Sequence, residues 1–256
     1  MVVNLTLDAF FMVLGRLSGL FISAPIFASK QLPGRIKVLI IILLAAVMSS
    51  FIKIQYAVQL DNPMIFIAAM ISEVLIGYAL GFVAFVLFAA IQLAGQLMDN
   101  QMGFSMVNVL DPQSGIQIPL MGNFYYLLAL IIYLSMNGHH YLLQAIAQSY
   151  NVIPVLGVNL GNEFMTIIAS ITAYMVVIAL KISTPVVFAI LITNVSMGFI
   201  ARTVPQMNVF IVGMPLNIMV GLFTIIVIMP VFIWFINIMF FEFIQYLDAI
   251  VLSMGL

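Results

Sequence analysis

The sequence predicts an all-α integral membrane protein of about six long, partly broken hydrophobic helices packed as hairpins. Hydrophobic residues make up 65% of the 256 positions and charged residues 6%, whereas soluble domains carry about 25% charged residues. Long uncharged stretches alternate with short segments that hold the few charges. This alternation is typical of membrane spans of about 20 apolar residues, which favour helices because a helix satisfies its own backbone polar groups in lipid.

The charged residues separate six apolar runs, and each run is interpreted as a helical element. Two of them are too long for one crossing, because at 1.5 Å per residue each would extend about 50 Å against roughly 30 Å of hydrocarbon. Such helices must tilt, break or project, and Pro185 is a candidate break since proline removes a helix hydrogen bond. The six runs cover residues 9–29, 38–52, 64–98, 118–136, 164–200 and 209–241.

The few charges also set the expected topology and exclude some functions. The loop 28–37 carries three basic residues and Arg202 lies in the fifth loop, so six spans would place both termini outside the cytoplasm by the positive-inside rule. A net charge of −1 without a basic run gives nucleic-acid binding no support. The sequence has no cysteine, which excludes disulfides and thiolate metal sites. Its N-terminus lacks the features of a removable signal peptide and is interpreted as the start of the first span.

Small residues mark the expected packing faces of the first and third helices. Glu73, Gly77 and Gly81 recur every four residues, and Gly15 and Gly19 form a second pair with this spacing. Such pairs allow helix backbones to approach closely in lipid. Tight packing within the chain or against another subunit is the favoured interpretation, and a direct role in transport is the alternative.

Three charged residues lie within apolar runs, namely Arg16, Glu73 and Lys181. Charges inside spans are costly and usually face a protein interior, a partner or water. A proton relay would need facing carboxylates, and the sequence offers Glu73 alone deep in a span. Structural pairing, within the chain or between subunits, is therefore favoured over an ion relay. The adjacent histidines 139 and 140 point to different faces and predict no zinc site, and no catalytic motif accompanies them.

A polar stripe leads from the third helix into an unusual segment. Gln92, Gln96 and Asn100 share one helix face, with Asp99 beside them, and the segment 101–115 follows. That segment, QMGFSMVNVLDPQSG, is too apolar for an exposed loop and too irregular for a lipid-facing span. The stripe is interpreted as lining a wet or proteinaceous space, with a helix end that emerges into solvent as the alternative. Methionines at 98, 102 and 106 add a flexible apolar edge.

Several motifs, in order along the chain, resemble the FliR family of flagellar and virulence type III secretion proteins. The segments 101–115 and 202–216 are the most specific of them. The motifs are LPGRIK (32–37), EVLIGYALGF (73–82), QLAGQLMDNQMGFSMVNVLDPQSG (92–115), NGHH (137–140) and RTVPQMNVFIVGMPL (202–216).

The resemblance implies an architecture and a set of partners. About 1–164 would be a FliP-like part and about 165–256 a FliQ-like helical hairpin that turns at 202–208. The chain would join FliP-like and FliQ-like subunits in an export gate in the bacterial inner membrane, together with FlhB-like and FlhA-like export components. The gate would pass unfolded protein substrates without enzymatic activity and without a cofactor.

The resemblance also implies that the segment around 103–115 projects into a central channel and plugs it. The residues assigned to this plug are Gly103, Phe104, Ser105, Met106, Val107, Asn108, Val109, Leu110, Asp111 and Pro112. Phe104, Met106, Val109 and Leu110 would be its sealing side chains. Two other functions remain open from the residues: a self-contained carrier or channel for a small solute, built on Arg16, Glu73 and Lys181, or a membrane scaffold without a pore.

Overall fold

A computed structural model describes residues 7–29, 32–52, 62–104, 119–204, 206 and 208–255. These residues form eight helices and no β-sheet, in agreement with the predicted all-α class. The plug residues 105–112 fall outside the described residues, as do the other positions up to 118. The helices are α1 (Leu7–Ser23), α2 (Pro25–Ala28), α3 (Gly34–Phe51), α4 (Pro63–Met102), α5 (Leu120–Ser135), α6 (Gly138–Val152), α7 (Asn162–Thr203) and α8 (Val209–Gly255).

Each apolar run of the sequence corresponds to one or two helices, but the predicted count of about six spans is not confirmed. In the described part of the chain, α3, α4, α7 and α8 are long and apolar enough to cross a membrane, and α5 with α6 makes a fifth if counted as one broken span. The first run forms α1, most of which is buried in protein. Hydropathy does not distinguish an apolar face buried in protein from one exposed to lipid. The placement of both termini outside, which rests on six crossings, stays a prediction.

The three longest helices extend beyond the apolar runs that hydropathy delimits. At 40, 42 and 47 residues, α4, α7 and α8 have lengths of about 60–70 Å. The break suggested at Pro185 is absent, because α7 continues through this proline. In the preceding turn, the hydroxyls of Ser183 and Thr184 donate to the Leu180 carbonyl oxygen, and such local hydrogen bonding helps membrane helices to tolerate proline.

The last helix continues beyond the end of its apolar run at residue 241. Glu242 interrupts the run in the sequence, yet α8 extends to Gly255. Buried apolar residues recur at helical spacing over this extension, at Phe243, Leu247, Ile250 and Met254. The helix is therefore maintained by burial of one face, although the polar residues Gln245 and Asp248 are exposed on its other side.

The chain forms two compact units, each assembled from segments that are distant in sequence. The first unit contains Met1–Leu87, Tyr133–Thr172 and Phe240–Leu256, and the second contains Phe88–Ile132 and Ala173–Met239. The expected boundary near residue 164 does not coincide with this division. That boundary separates a FliP-like part from a FliQ-like part and does not concern compact units. The FliP-like and FliQ-like assignments stay a prediction.

Helices α7 and α8 form an antiparallel pair in the second unit. The Asn217 side-chain amide donates to the Asn194 side-chain oxygen at 2.9 Å. Asn194 lies ten residues before the 204–208 connection and Asn217 lies nine residues after it. An expected hairpin that turns at 202–208 is consistent with the bounds of these helices.

Candidate functional site

A buried ion pair links α1 and α4 in the first unit. Arg16 Nε donates to Glu73 Oε2 at 2.7 Å, and a terminal guanidinium nitrogen donates to Oε1 at 3.0 Å. Both side chains have no solvent exposure. This two-pronged geometry is the strongest arrangement between arginine and a carboxylate, so each charge is neutralised by the other.

Helix α6 completes the environment of this pair. The other guanidinium nitrogen of Arg16 donates to Ser149 Oγ at 2.7 Å, and the Tyr150 hydroxyl donates to Glu73 Oε2 at 3.0 Å. The guanidinium carbon lies 3.6 Å from the centre of the Tyr150 ring. We name Arg16, Glu73, Ser149 and Tyr150 the charge cluster. It fastens three helices together and holds both charges out of contact with solvent.

The small residues of α1 and α4 lie at the point where these helices cross. A Cβ added to Gly77 would overlap the carbonyl oxygen of Arg16, and a Cβ added to Gly19 would overlap that of Val74. A Cβ on Gly81 would overlap the Ser23 hydroxyl, and one on Gly15 would lie 3.1 Å from Glu73 Cβ. The two backbones are therefore in direct contact, and this contact brings Arg16 next to Glu73.

The third intramembrane charge, Lys181, belongs to the second unit and is exposed near the middle of α7. Its ammonium lies 5.9 Å from the ring centre of Tyr174. It also borders a cleft of about 80 Å³, with walls that include Tyr125, Pro185 and Phe232. Of the three charges on which a carrier site would draw, Arg16 and Glu73 pair with each other within the first unit.

A second polar arrangement lies in the second unit, where α4 ends and α5 begins. Asp99 is 4% exposed, and its carboxylate accepts hydrogen bonds from the backbone N–H groups of Met121 and Gly122 at 2.9–3.2 Å. These are two of the N–H groups that lack a partner within the first turn of a helix. The negative charge is also favoured at the N-terminus of α5 by the helix dipole.

The same residue closes the end of α4 through its backbone. Gly103 has a φ of +89°, a conformation that glycine adopts without strain. The N–H groups of Gly103 and Phe104 both donate to the Asp99 carbonyl oxygen at 3.1 Å, as in a Schellman-type helix end. A helix end, the exit turn and the next helix start therefore converge on one aspartate.

Glycines allow α4 and α5 to touch at this place. A Cβ on Gly95 would overlap the Gly122 backbone, and one on Gly122 would lie 3.2 Å from the Gln92 carbonyl oxygen. We name Gly95, Asp99, Gly103 and Gly122 the segment base, because they join the two ends of the undescribed residues 105–118. The Met102 side chain covers Gly221 of α8, where a Cβ would lie within 2.7 Å of it.

The polar stripe of α4 ends at this base. Gln92 and Asn100 are exposed in the chain and Gln96 is half-buried. Its assignment to a lumen stays a prediction. Asp99, by contrast, is turned into the protein, although the sequence suggested that it accompanies the stripe.

Several residues of both sites were missed from the sequence. The role of Ser149 and Tyr150 is not signalled by spacing, since 133 residues separate Arg16 from Ser149. For the segment base, two features of the sequence were not used. Gly95 lies within the third apolar run, and Gly122 follows shortly after Pro119. A proline followed by helix formers is typical of a helix start, and that start needs an external acceptor.

Comparison with known proteins adds a family to this geometry. Residues 7–243 match the family described as bacterial export proteins, family 1. The flagellar biosynthetic protein FliR of Bacillus subtilis (strain 168) is 40% identical over 226 residues, which cover 87% of this chain and 86% of that protein. The corresponding protein of Escherichia coli (strain K12) is 28% identical over 253 residues, 98% and 95% of the two chains.

A more distant relative is the surface presentation of antigens protein SpaR of Shigella flexneri. It is 25% identical over 217 residues, which cover 83% of this chain and 81% of that protein. The family match begins at the first residue of α1 and ends within α8. The matched region therefore contains the charge cluster, the segment base and residues 105–118 between Gly103 and Gly122.

Proposed function

The chain belongs to the FliR family of bacterial export proteins, and we propose that it forms, with FliP-like and FliQ-like subunits, a gated channel for unfolded protein substrates. As a member of this family it is a multi-pass membrane component of a flagellar or type III export apparatus. The proposal adds that residues 103–115 plug the channel, that the chain acts without enzymatic chemistry, and that the assembly lies in the bacterial inner membrane near FlhA-like and FlhB-like components.

The observation that carries the plug is the segment base. Residues 103–104, which precede the segment 105–118, and residues 121–122, which follow it, all donate hydrogen bonds to Asp99, between α4 and α5. Irregular backbone at membrane depth is tolerated where protein buries it or where it lines a water-filled cavity. A plug that faces a lumen satisfies this condition, and the exposed Gln92 and Asn100 of the stripe would line the approach to it.

The composition of the segment fits a seal that opens for a polypeptide. Phe104, Met106, Val109 and Leu110 are apolar, and a hydrophobic constriction blocks ions by excluding water. Methionine is flexible and polarizable, so a seal that contains it adapts to different passing side chains. The glycines and Asp111-Pro112 would shape the turn of the plug.

Deleting residues 105–114 tests this function directly. With the partner subunits present, we expect the membrane to leak small solutes, because the apolar seal is removed while the helices on both sides remain. Solute efflux from cells that produce the whole gate is the measurement. A length-preserving variant with serine at 106, 109 and 110 is expected to leak as well. A membrane as tight as with the unaltered chain would contradict the plug.

Lys181 marks the proposed contact with a neighbouring subunit. It is exposed near the middle of the 42-residue helix α7, where a lysine facing lipid costs roughly 3 kcal/mol. A carboxylate on a FliP-like or FliQ-like neighbour would remove this cost. The glycines at the α1–α4 crossing, by contrast, pack against residues of the same chain.

Reversing this charge is therefore expected to weaken assembly. With Lys181→Glu, we expect about tenfold less FliP-like and FliQ-like protein to co-purify in detergent, whereas Lys181→Arg keeps the cation and the contact. Glu163→Lys is the matched control, since it reverses an exposed charge in the first turn of the same helix. Equal recovery of partners with Lys181→Glu and the control would exclude a partner contact at Lys181.

A further inference from the structure

We propose that the lysine cleft, the cavity bordered by Lys181 and Tyr125, accepts one carboxylate side chain of a neighbouring subunit, and that the Tyr125 hydroxyl is its second donor. The cleft lies within the second unit, among α5, α7 and α8, and its remaining walls are apolar. This inference rests on the proposed contact at Lys181. It assigns the chemical group that fills the contact and a further residue that recognises this group.

The Tyr125 hydroxyl is buried without a hydrogen-bond partner among the described residues. Its residue is 1% exposed, and its ring packs edge-on against Phe232 with 4.5 Å between the ring centres. This contact holds the Tyr125 ring at the wall of the lysine cleft. A buried hydroxyl without a hydrogen bond is costly, and a buried tyrosine usually finds a partner for its hydroxyl. The hydroxyl therefore indicates an acceptor that reaches the cleft from outside the unit.

The Lys181 ammonium has no carboxylate partner within the described part of the chain, where the one ion pair joins Arg16 to Glu73. The described residues of the second unit include a single carboxylate, Asp99, which accepts N–H groups at the start of α5. Tyr174 offers the ammonium a ring face at 5.9 Å, and such a contact is weak. The described second unit thus supplies a cation without a counter-charge.

The size and the donors of the lysine cleft select a carboxylate over a lipid phosphate. A volume of about 80 Å³ holds about three non-hydrogen atoms, since a water takes roughly 30 Å³ in the liquid. A carboxyl group has three such atoms, whereas a phosphate with its ester groups is larger. A buried ion pair stabilises a contact when further hydrogen bonds satisfy its remaining lone pairs. The Tyr125 hydroxyl supplies such a bond beside the Lys181 ammonium.

The first test removes only the hydroxyl. With Tyr125→Phe in the full chain, produced together with its partner subunits, we expect about tenfold less FliP-like and FliQ-like protein to co-purify in detergent. The thermal midpoint of the chain purified alone is expected to stay the same or to rise, because a buried unpaired hydroxyl is deleted. Tyr126→Phe is the matched control, since Tyr126 is half-buried and lies outside the cleft. Full recovery of partners with Tyr125→Phe overturns the proposal.

Combining variants shows whether both donors serve one group. In a chain that carries Lys181→Met, we expect Tyr125→Phe to add little further loss, because a carboxylate without its cation no longer enters the cleft. Additive losses show that the two side chains have different partners and overturn the proposal. Loss of partners with Lys181→Glu but not with Tyr125→Phe overturns the role of Tyr125 and leaves the contact at Lys181 standing. If the unaltered chain recovers no partner, the proposed assembly and the contact both fail.

Filling the lysine cleft excludes the carboxylate while both donors remain. Val231 is an exposed residue of its wall, and Val231→Phe is expected to lower the recovery of partners as Tyr125→Phe does. Val227→Phe adds the same ring one turn earlier on α8, at a similarly exposed valine outside the cleft, and is expected to have no effect. Should Tyr125→Phe fail to accumulate, this pair decides, and equal recovery with both variants overturns the proposal.

Discussion

Replacing Arg16 with methionine is expected to destabilise the protein by about 3–5 kcal/mol, because Glu73 then remains as a buried charge without its partner. Both side chains are fully buried, and Glu73 would keep the Tyr150 hydroxyl as its hydrogen-bond donor. One neutral donor does not replace two bonds to a guanidinium. The measurement is the thermal midpoint of the purified chain in detergent, together with its level in the membrane.

The double variant Arg16→Met, Glu73→Met tells a structural pair from a transport site. Replacing both charges by apolar groups of similar size is expected to restore most of the stability. Ser149 keeps a partner in the Ile146 carbonyl oxygen, whereas the hydrogen bond from Tyr150 to Glu73 is lost, so we expect recovery to be incomplete. If export proceeds in the stable double variant, the pair serves folding alone. Loss of export at restored stability and assembly would instead give these charges a role in transport.

Replacing Gly77 with leucine is expected to prevent the first unit from forming. Any Cβ at this position overlaps the Arg16 backbone, and backbone has no rotamer with which to move aside, so the cost exceeds the usual 1–3 kcal/mol or so of an overfilled core. The same displacement moves Arg16 away from Glu73 and opens the charge cluster. Protein level and resistance to proteolysis in membranes report the result.

The matched control for Gly77 uses a glycine that faces open space. Gly77→Ala is expected to follow the direction of the leucine variant with a smaller effect. Gly213→Ala places the same methyl group on α8 with nothing within 4 Å, and it is expected to be neutral or to stabilise by up to about 1 kcal/mol through helix propensity. Equal behaviour at 77 and 213 would show that α1 and α4 do not touch at Gly77.

Much of the fold could be predicted from local patterns. Hydropathy located each apolar run to within a few residues of a helix, from α3 to the start of α8, because lipid and protein cores both select apolar side chains over one helical period. It failed at two particular places. It suggested a break at Pro185 and ended the last helix near residue 241, and each of these depends on what the helix packs against.

For the two sites as well, the sequence predicted some features and the fold was needed for others. Four-residue spacing marked Gly77 and Gly81 as a packing face, and the cost of charge in lipid marked Arg16 and Glu73 as residues in need of partners. Neither principle names the partner. Asp99 was placed with the exposed stripe by its position in sequence, and its burial against the start of α5 required the fold.

The sequence by itself determined that the protein lies in a membrane, that it is helical and which family it belongs to. Composition, hydrophobic period and the order of motifs can each be read from the chain without knowing its tertiary contacts. The tertiary structure decided how those parts are used. It pairs Arg16 of α1 with Glu73 of α4, 57 residues away in sequence. It also buries Asp99, which the sequence placed beside the polar stripe, and bonds its carboxylate to the first turn of α5. The physical reason is that a buried charge or an unpaired N–H group accepts any suitable partner, and folding selects which one comes within hydrogen-bonding distance.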